Sequence, residues 1–162
     1  MSTLVIIVVI VEVLLVGTVI LLERRTAKKN KISFQETLEL TDLPIVTFYN
    51  NGRKLNFILD TGATDSVINE RELSSCIYEE IDEKRKLMGI DGNNKDIQTM
   101  VKMTLVKGIQ EFTDKFQVSN LSPVLDAMKN THGVSVHGII GNTFFTKYGY
   151  ILDFDELAAY TH

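Results

Sequence analysis

The sequence predicts a mostly β domain, a small closed β-barrel with short helices, preceded by one transmembrane helix. Three observations carry this reading. The chain opens on a nearly unbroken apolar run, Leu4 to Leu22. From Pro44 onward it divides into short β-type runs separated by Gly- and Asn-rich turns, with little helix between them. The part after Pro44 is long enough for one hydrophobic core and too short for two lobes. The expected organisation is therefore an anchor over 1–22, a basic polar tether over 23–43 and one folded domain over 44–162.

In the apolar run only Glu12, Gly17 and Thr18 interrupt Leu, Ile and Val. A helix over Leu4 to Leu22 would reach roughly 28 Å, close to the thickness of a bilayer core. Glu12 costs about 2.5–3.5 kcal/mol near the membrane centre, and the surrounding aliphatic residues outweigh it. Glu12 either faces lipid as the neutral acid or hydrogen-bonds a second helix. A cleaved signal peptide is the rival reading. Met1-Ser2-Thr3 brings no basic residue, however, and no small-x-small cleavage pattern stands after the run. The next residues are Glu23-Arg24-Arg25-Thr26-Ala27-Lys28-Lys29-Asn30-Lys31, whose basic excess predicts a single-pass protein with a cytoplasmic C-terminal domain.

Charge divides unevenly along the chain. Segment 23–31 is +4 and Glu12 adds −1, which leaves −7 on residues 32–162 within the total of −4. A basic collar suits anionic lipid head groups, and the acidic remainder argues against a nucleic-acid partner. Cys76 is the single cysteine, so no intrachain disulfide forms and a reducing compartment fits.

The β-type runs come in order. Ile45 to Tyr49 and Lys54 to Leu59 flank Asn50-Asn51-Gly52, a strong hairpin pattern. Lys86 to Ile90 and Ile97 to Leu105 flank Asp91-Gly92-Asn93-Asn94, a second hairpin. Lys107-Gly108 leads into Ile109 to Val118. Glu70 to Ile81 and Pro123 to Asn130 suggest short helices, the second with Pro where a missing N–H costs nothing. Val134 to Ile140 is β-like, Thr143 to Tyr148 suits a helical turn, and Tyr150 to Phe154 and Leu157 to Tyr160 suit closing strands.

Two motifs carry chemistry. Leu59-Asp60-Thr61-Gly62-Ala63 sets one acid between an apolar run and a glycine turn, where solvent is expected to be scarce. Its plain reading is a surface turn. The second motif, His137-Gly138-Ile139-Ile140-Gly141-Asn142, permits close backbone approach at the end of a buried strand. With a Gly-tipped hairpin between them, the two motifs resemble the retropepsins, the single-lobe aspartic proteases typified by retroviral proteases. The resemblance runs from about Pro44 to the C-terminus, and Ile151 to Asp155 resembles the last strand of cellular and bacterial members.

The resemblance implies a closed barrel of the retropepsin type and an aspartic endopeptidase that uses neither metal nor cofactor. Asp60, Thr61 and Gly62 would form the catalytic loop: Asp60 as half of a dyad, Thr61 bonding across a dimer, Gly62 allowing tight approach. Since the chain has one Asp-Thr-Gly, the implied enzyme is a homodimer with one Asp60 from each subunit. A peptide or protein substrate would lie extended under a flap at Met88 to Asn94. Gly89, Ile90, Asp91, Gly92, Ala63, Asp65 and Ile140 would line its path. Asp65 either lines a substrate pocket or fixes the turn after the motif. Ala63, where pepsin-like relatives often carry a hydroxyl, implies activity nearer neutral pH. Thr64 and Asn142 replace an acid and an arginine that pair near the dimer contact in retroviral members, so both halves of that pair are absent together.

The alternative is a non-catalytic module of the same fold that dimerises or binds an extended segment at the membrane. His132 and His137 lie close in sequence, but no acid or cysteine stands beside them at ligand spacing, so they read as loop and strand-edge residues rather than a metal site.

Overall fold

A computed structural model describes residues 34–88 and 94–161 of the chain. They begin with a helix, α1 (Phe34–Thr41). Asn51 and Gly52 both take positive φ, 48° and 75°, and so turn β1 (Ile45–Asn50) tightly into β2 (Arg53–Leu59). This is the backbone that a two-residue hairpin loop between right-twisted strands requires. The short β3 (Ser66–Asn69) runs into a 3₁₀ helix, Glu70–Ser75. Then come the long antiparallel pair β4 (Tyr78–Met88) and β5 (Asn94–Lys107), followed by β6 (Gln110–Ser119) and α2 (Ser122–His132). Both arms of the β4–β5 hairpin are longer than the sequence pattern predicts. The run Glu79 to Arg85 is too charged to read as a strand, yet Glu79 pairs with Lys102 across the ladder, at 3.3 Å on the exposed face.

The sheet runs in the order β1, β2, β7 (Gly138–Ile140), β3, β6, β5, β4. One further pair, Tyr49 with Val106, joins β1 to β5 and closes the ring. β7 is inserted between β2 and β3, parallel to the first and antiparallel to the second. Only the last three residues of the predicted Val134 to Ile140 strand enter the ladder. Val134 and Val136 instead bury their side chains in a small cluster with Ile45 and with Leu125 of α2.

The core is aromatic. Phe48 is fully buried and touches Phe57, Phe112, Phe144 and Tyr150. Leu55, Leu59, Ile68, Val101, Met103, Leu105 and Ile140 fill the space around them. α3 (Asn142–Tyr148) lays Phe144 and Phe145 onto this cluster and ends at Gly149, whose φ of 56° suits a helix stop. The closing strands β8 (Ile151–Asp153) and β9 (Ala158–Tyr160) pair with each other as a separate two-stranded sheet. Lys107 latches that sheet to the barrel by donating to Tyr150 Oη (2.8 Å) and to the Ala159 carbonyl (2.6 Å).

The predicted tether is corrected at its C-terminal end, where α1 docks on the domain. Phe34 packs edge-on against Phe154 at 5.8 Å, and buried Thr37 accepts a hydrogen bond from the Ile45 N–H (3.3 Å). A segment polar by composition folds here because tertiary contacts, rather than its own pattern, hold it. Among the described residues no helix is long and apolar enough to cross a membrane; the span predicted for Leu4 to Leu22 lies outside them.

Candidate active site

At Leu59 the chain leaves the sheet, and the next turn is fixed by main-chain groups. The Asp60 N–H donates to the Ile140 carbonyl (3.0 Å), and the Ala63 N–H donates to the Asp60 carbonyl (3.2 Å). The Gly62 N–H donates to Asp60 Oδ1 (2.8 Å), which orients the carboxylate. On the outgoing leg, the Ala63 carbonyl accepts from the Asn142 N–H (2.7 Å) and the Thr64 carbonyl from the Thr143 N–H (3.0 Å). Thus Thr64 and Asn142 lie in segments that meet through backbone hydrogen bonds. The first turn of α3, whose N–H groups have no partner within the helix, satisfies the loop's carbonyls.

The glycines of the second motif work by absence of bulk. A Cβ on Gly141 would lie 2.5 Å from the Asp65 carbonyl oxygen and 3.0 Å from that of Ala63. One on Gly138 would lie 2.3 Å from the Val67 carbonyl oxygen. Neither site could hold alanine without moving backbone. Gly62 is tight for a different reason, since its Cβ would stand 3.2 Å from Asp60 Oδ1 itself.

Asp60, Thr61 and Gly62 are all exposed at the surface of the protomer. The expectation of scarce solvent around Asp60 is therefore corrected: the strand before it is buried, but the acid projects past its end. Beside it lies a groove of about 660 Å³ lined by Pro44, Ile58, Thr61, Ile139, Leu152 and Phe154. Phe154 is 56% exposed there. An oriented, accessible carboxylate beside an apolar groove can polarise a water or hold a proton. One carboxyl cannot do both in the same step.

The other predicted site residues fall in three places. Ala63 and Asp65 are half-buried in the loop that carries Asp60. Ile140 is corrected: its side chain is fully buried in the core and cannot line a substrate path. Strand alternation turns Ile139 to the groove instead, and Ile140 serves the site through its carbonyl. Gly89, Ile90, Asp91 and Gly92 lie outside the described residues.

Three supporting residues are invisible to motif reading. Buried Ser66 accepts from the Gly141 N–H (3.1 Å) and so ties the two motifs together. Buried Asn50 donates from its amide to the Ile77 and Thr104 carbonyls (2.9 and 3.0 Å) and accepts from the Ile77 N–H (2.7 Å), linking β1 to β5 and to the start of β4. Asn56 clasps Ser135 and His137 across from β2. Nothing in an isolated Ser or Asn distinguishes such a role from a turn or surface position. His132 and His137 sit apart in role: His132 is exposed at the end of α2, and His137 is bonded to backbone. Among the described residues no group of three or more His, Cys, Asp or Glu side chains is placed to hold a metal ion.

A family model described as aspartyl protease matches residues 46–144. No curated protein sequence matches the chain. Among solved structures, the chain is similar to the retroviral protease-like domain of Ddi1 from Leishmania major, at 13% identity and a TM-score of 0.49 over 74% of this chain and 87% of that one. It is also similar to EIAV protease complexed with the inhibitor HBY-793, at 19% identity and a TM-score of 0.48 over 68% and 91%. A retropepsin-like aspartic protease from Rickettsia conorii matches at 16% identity and a TM-score of 0.42 over 68% and 76%.

Proposed function

The chain belongs to the aspartyl protease family, and on that premise we propose that it is an aspartic endopeptidase of retropepsin type, active as a twofold homodimer. The observation that carries this reading is Asp60 itself: oriented by the Gly62 N–H, exposed, and set beside an apolar groove. An isolated protomer holds half of the required chemistry. Hydrolysis without metal or nucleophilic side chain needs one group to take a proton from water and another to give one to the carbonyl oxygen. Two carboxyls about 3 Å apart share one proton, because both cannot ionise at that distance, and so they fill both roles. A second copy facing the first across Asp60 supplies the partner acid and covers the exposed loop.

The substrate is an extended peptide, with Ile139 and Phe154 in the groove available to apolar side chains. Thr61 holds the two loops across the axis, and Ala63 favours work near neutral pH. The predicted helix over Leu4 to Leu22 anchors the enzyme with this domain in the cytoplasm. Two domains tethered to one bilayer meet at a raised effective concentration, which offsets the missing charge pair at Thr64 and Asn142.

The test is peptide-library cleavage by the full chain beside Asp60→Asn. The expected result is a loss of about 10²–10⁴-fold or more in the variant with fold and dimer retained. Inhibition by a statine-type transition-state analogue and activity that falls steeply on dilution are expected alongside. Undiminished cleavage by Asp60→Asn would refute the assignment. Binding of extended peptides by the unmutated chain without any turnover would instead establish the non-catalytic module.

A further inference from the structure

Just beyond the end of the β2–β7 pairing opposite Asp60, His137 and Asn56 are joined twice. The His137 N–H donates to the Asn56 carbonyl (2.8 Å), and the Asn56 N–H donates back to the imidazole Nδ1 (2.9 Å). Nδ1 therefore carries no proton, and the ring's single N–H is on Nε2. Both chain segments continue from this clasp into the candidate site. One runs from Asn56 along β2 to Asp60, and the other from His137 along β7 to the Ile140 carbonyl that receives the Asp60 N–H. Asn56 has no freedom to adapt, because its side chain accepts from Thr47 Oγ1 (2.8 Å) and donates to the Ser135 carbonyl (2.7 Å).

The ring borders a polar cavity of about 270 Å³ at whose rim Asp126 and Lys129 of α2 stand. The charged groups around it come from three elements: Arg53 on β2, Arg71 and Glu72 on the 3₁₀ helix, Asp126 and Lys129 on α2. Both acids are already engaged. Glu72 is held by Arg53 and by Arg71 (3.1 Å), and Asp126 by Arg71 (2.7 Å). An imidazolium formed here would meet two guanidinium groups and no uncommitted carboxylate.

We propose that His137 is a positioning residue for the Asp60 loop and a proton-sensitive clasp, closed when the imidazole is neutral and opened by protonation at Nδ1. The added proton would point at the Asn56 N–H, so the hydrogen bond is lost and a part-buried donor is left without a partner. Burial holds this histidine below its ordinary value, with Arg53 and Arg71 pushing the same way, against smaller opposing pulls from Glu72 and the Asn56 backbone. Below about 6.5 the unfolded chain takes up a proton that the folded clasp refuses, so its stabilisation is present above that pH and is lost as pH falls toward the folded value. The link to catalysis rests on the protease reading; the clasp itself does not.

The experiment tracks the three histidine C2 protons of the full chain by NMR titration, with His132→Gln and His162→Gln as assignments. Urea midpoints across the same pH range accompany it for the unmutated chain and His137→Asn, which keeps an acceptor near Nδ1 and cannot titrate. The expected result is that His137 titrates below its ordinary value of 6.5, and that the unmutated midpoint drops on acidification while that of His137→Asn stays flatter. If His137→Asn fails to fold, the unmutated titration decides alone. His137 titrating at or above 6.5, or an unchanged pH slope in His137→Asn, would overturn the proposal. In peptide cleavage, the acid loss of kcat at constant KM should move in His137→Asn. A chain that cleaves nothing at any pH refutes the protease reading, while titration and midpoints still judge the clasp.

Discussion

The two ends of the β2–β7 pair are built by opposite means. At the Asp60 end the loop is held almost wholly by main chain: the Ile140 carbonyl, the Asn142 and Thr143 N–H groups, and close approaches at Gly138 and Gly141. The Asp60 and Thr61 side chains stay accessible. At the His137 end the work falls to side chains: Asn56 holds Ser135 and His137, and Arg53 and Arg71 share Glu72 beside the cavity that His137 borders. The contrast teaches how a small barrel frees a carboxylate. Where backbone, helped by the one buried hydroxyl of Ser66, positions a loop, the acid itself is not used for support and can remain accessible while still oriented. Where side chains do the holding, they become unavailable for chemistry and sensitive to protonation instead.

The comparison can be broken first at Asp60, where Asn should remove cleavage and leave urea stability nearly unchanged. Gly141→Ala is next. Its Cβ has only backbone to displace, so stability should fall by about 1–3 kcal/mol, and kcat should fall by more than that loss explains, since small misplacements of a reacting group cost about 10²-fold. Urea midpoints and cleavage rates measured together separate the two effects. Glu72→Ala probes the other end. It strips the carboxylate that two arginines share and should cost about 1–3 kcal/mol in urea, with kcat of the folded fraction preserved. A large kcat loss in Glu72→Ala would show that the ion-pair cluster, and not His137 alone, positions the Asp60 loop. The smallest effect is expected at the latch of the closing sheet, where Tyr150→Phe removes the oxygen that Lys107 reaches and should lower stability by about 1 kcal/mol.

The legible parts of this molecule are those where local chemistry leaves one solution. Asn51-Gly52 demands a tight hairpin, and Pro123 opens a helix that ends at Gly133 with φ of 73°. Both glycine motifs announce close approach. The illegible parts depend on partners distant in sequence. α1 folds because Thr37 meets Ile45 and Phe34 meets Phe154. Asn50 reads as a turn residue and proves to be a bridge, because the two carbonyls it serves come from Ile77 and Thr104. Ile140 reads as a lining residue and proves to face the core. In so short a strand, periodicity does not say which side meets the interior, and the neighbouring strands decide it.

The insertion of β7 between β2 and β3 has a consequence for the order in which a nascent chain acquires its parts. Asp60 emerges early in synthesis, but the hydrogen bonds that seat its loop from outside come from residues near the end of the domain, Ile140 to Thr143. Until those residues leave the ribosome, β2 and β3 face an empty slot and the loop between them has nothing to rest on. A partly made chain is thus without a seated acid loop, and a truncated one stays so. Whatever this loop does in the finished protein, it is withheld until synthesis of the domain is nearly complete.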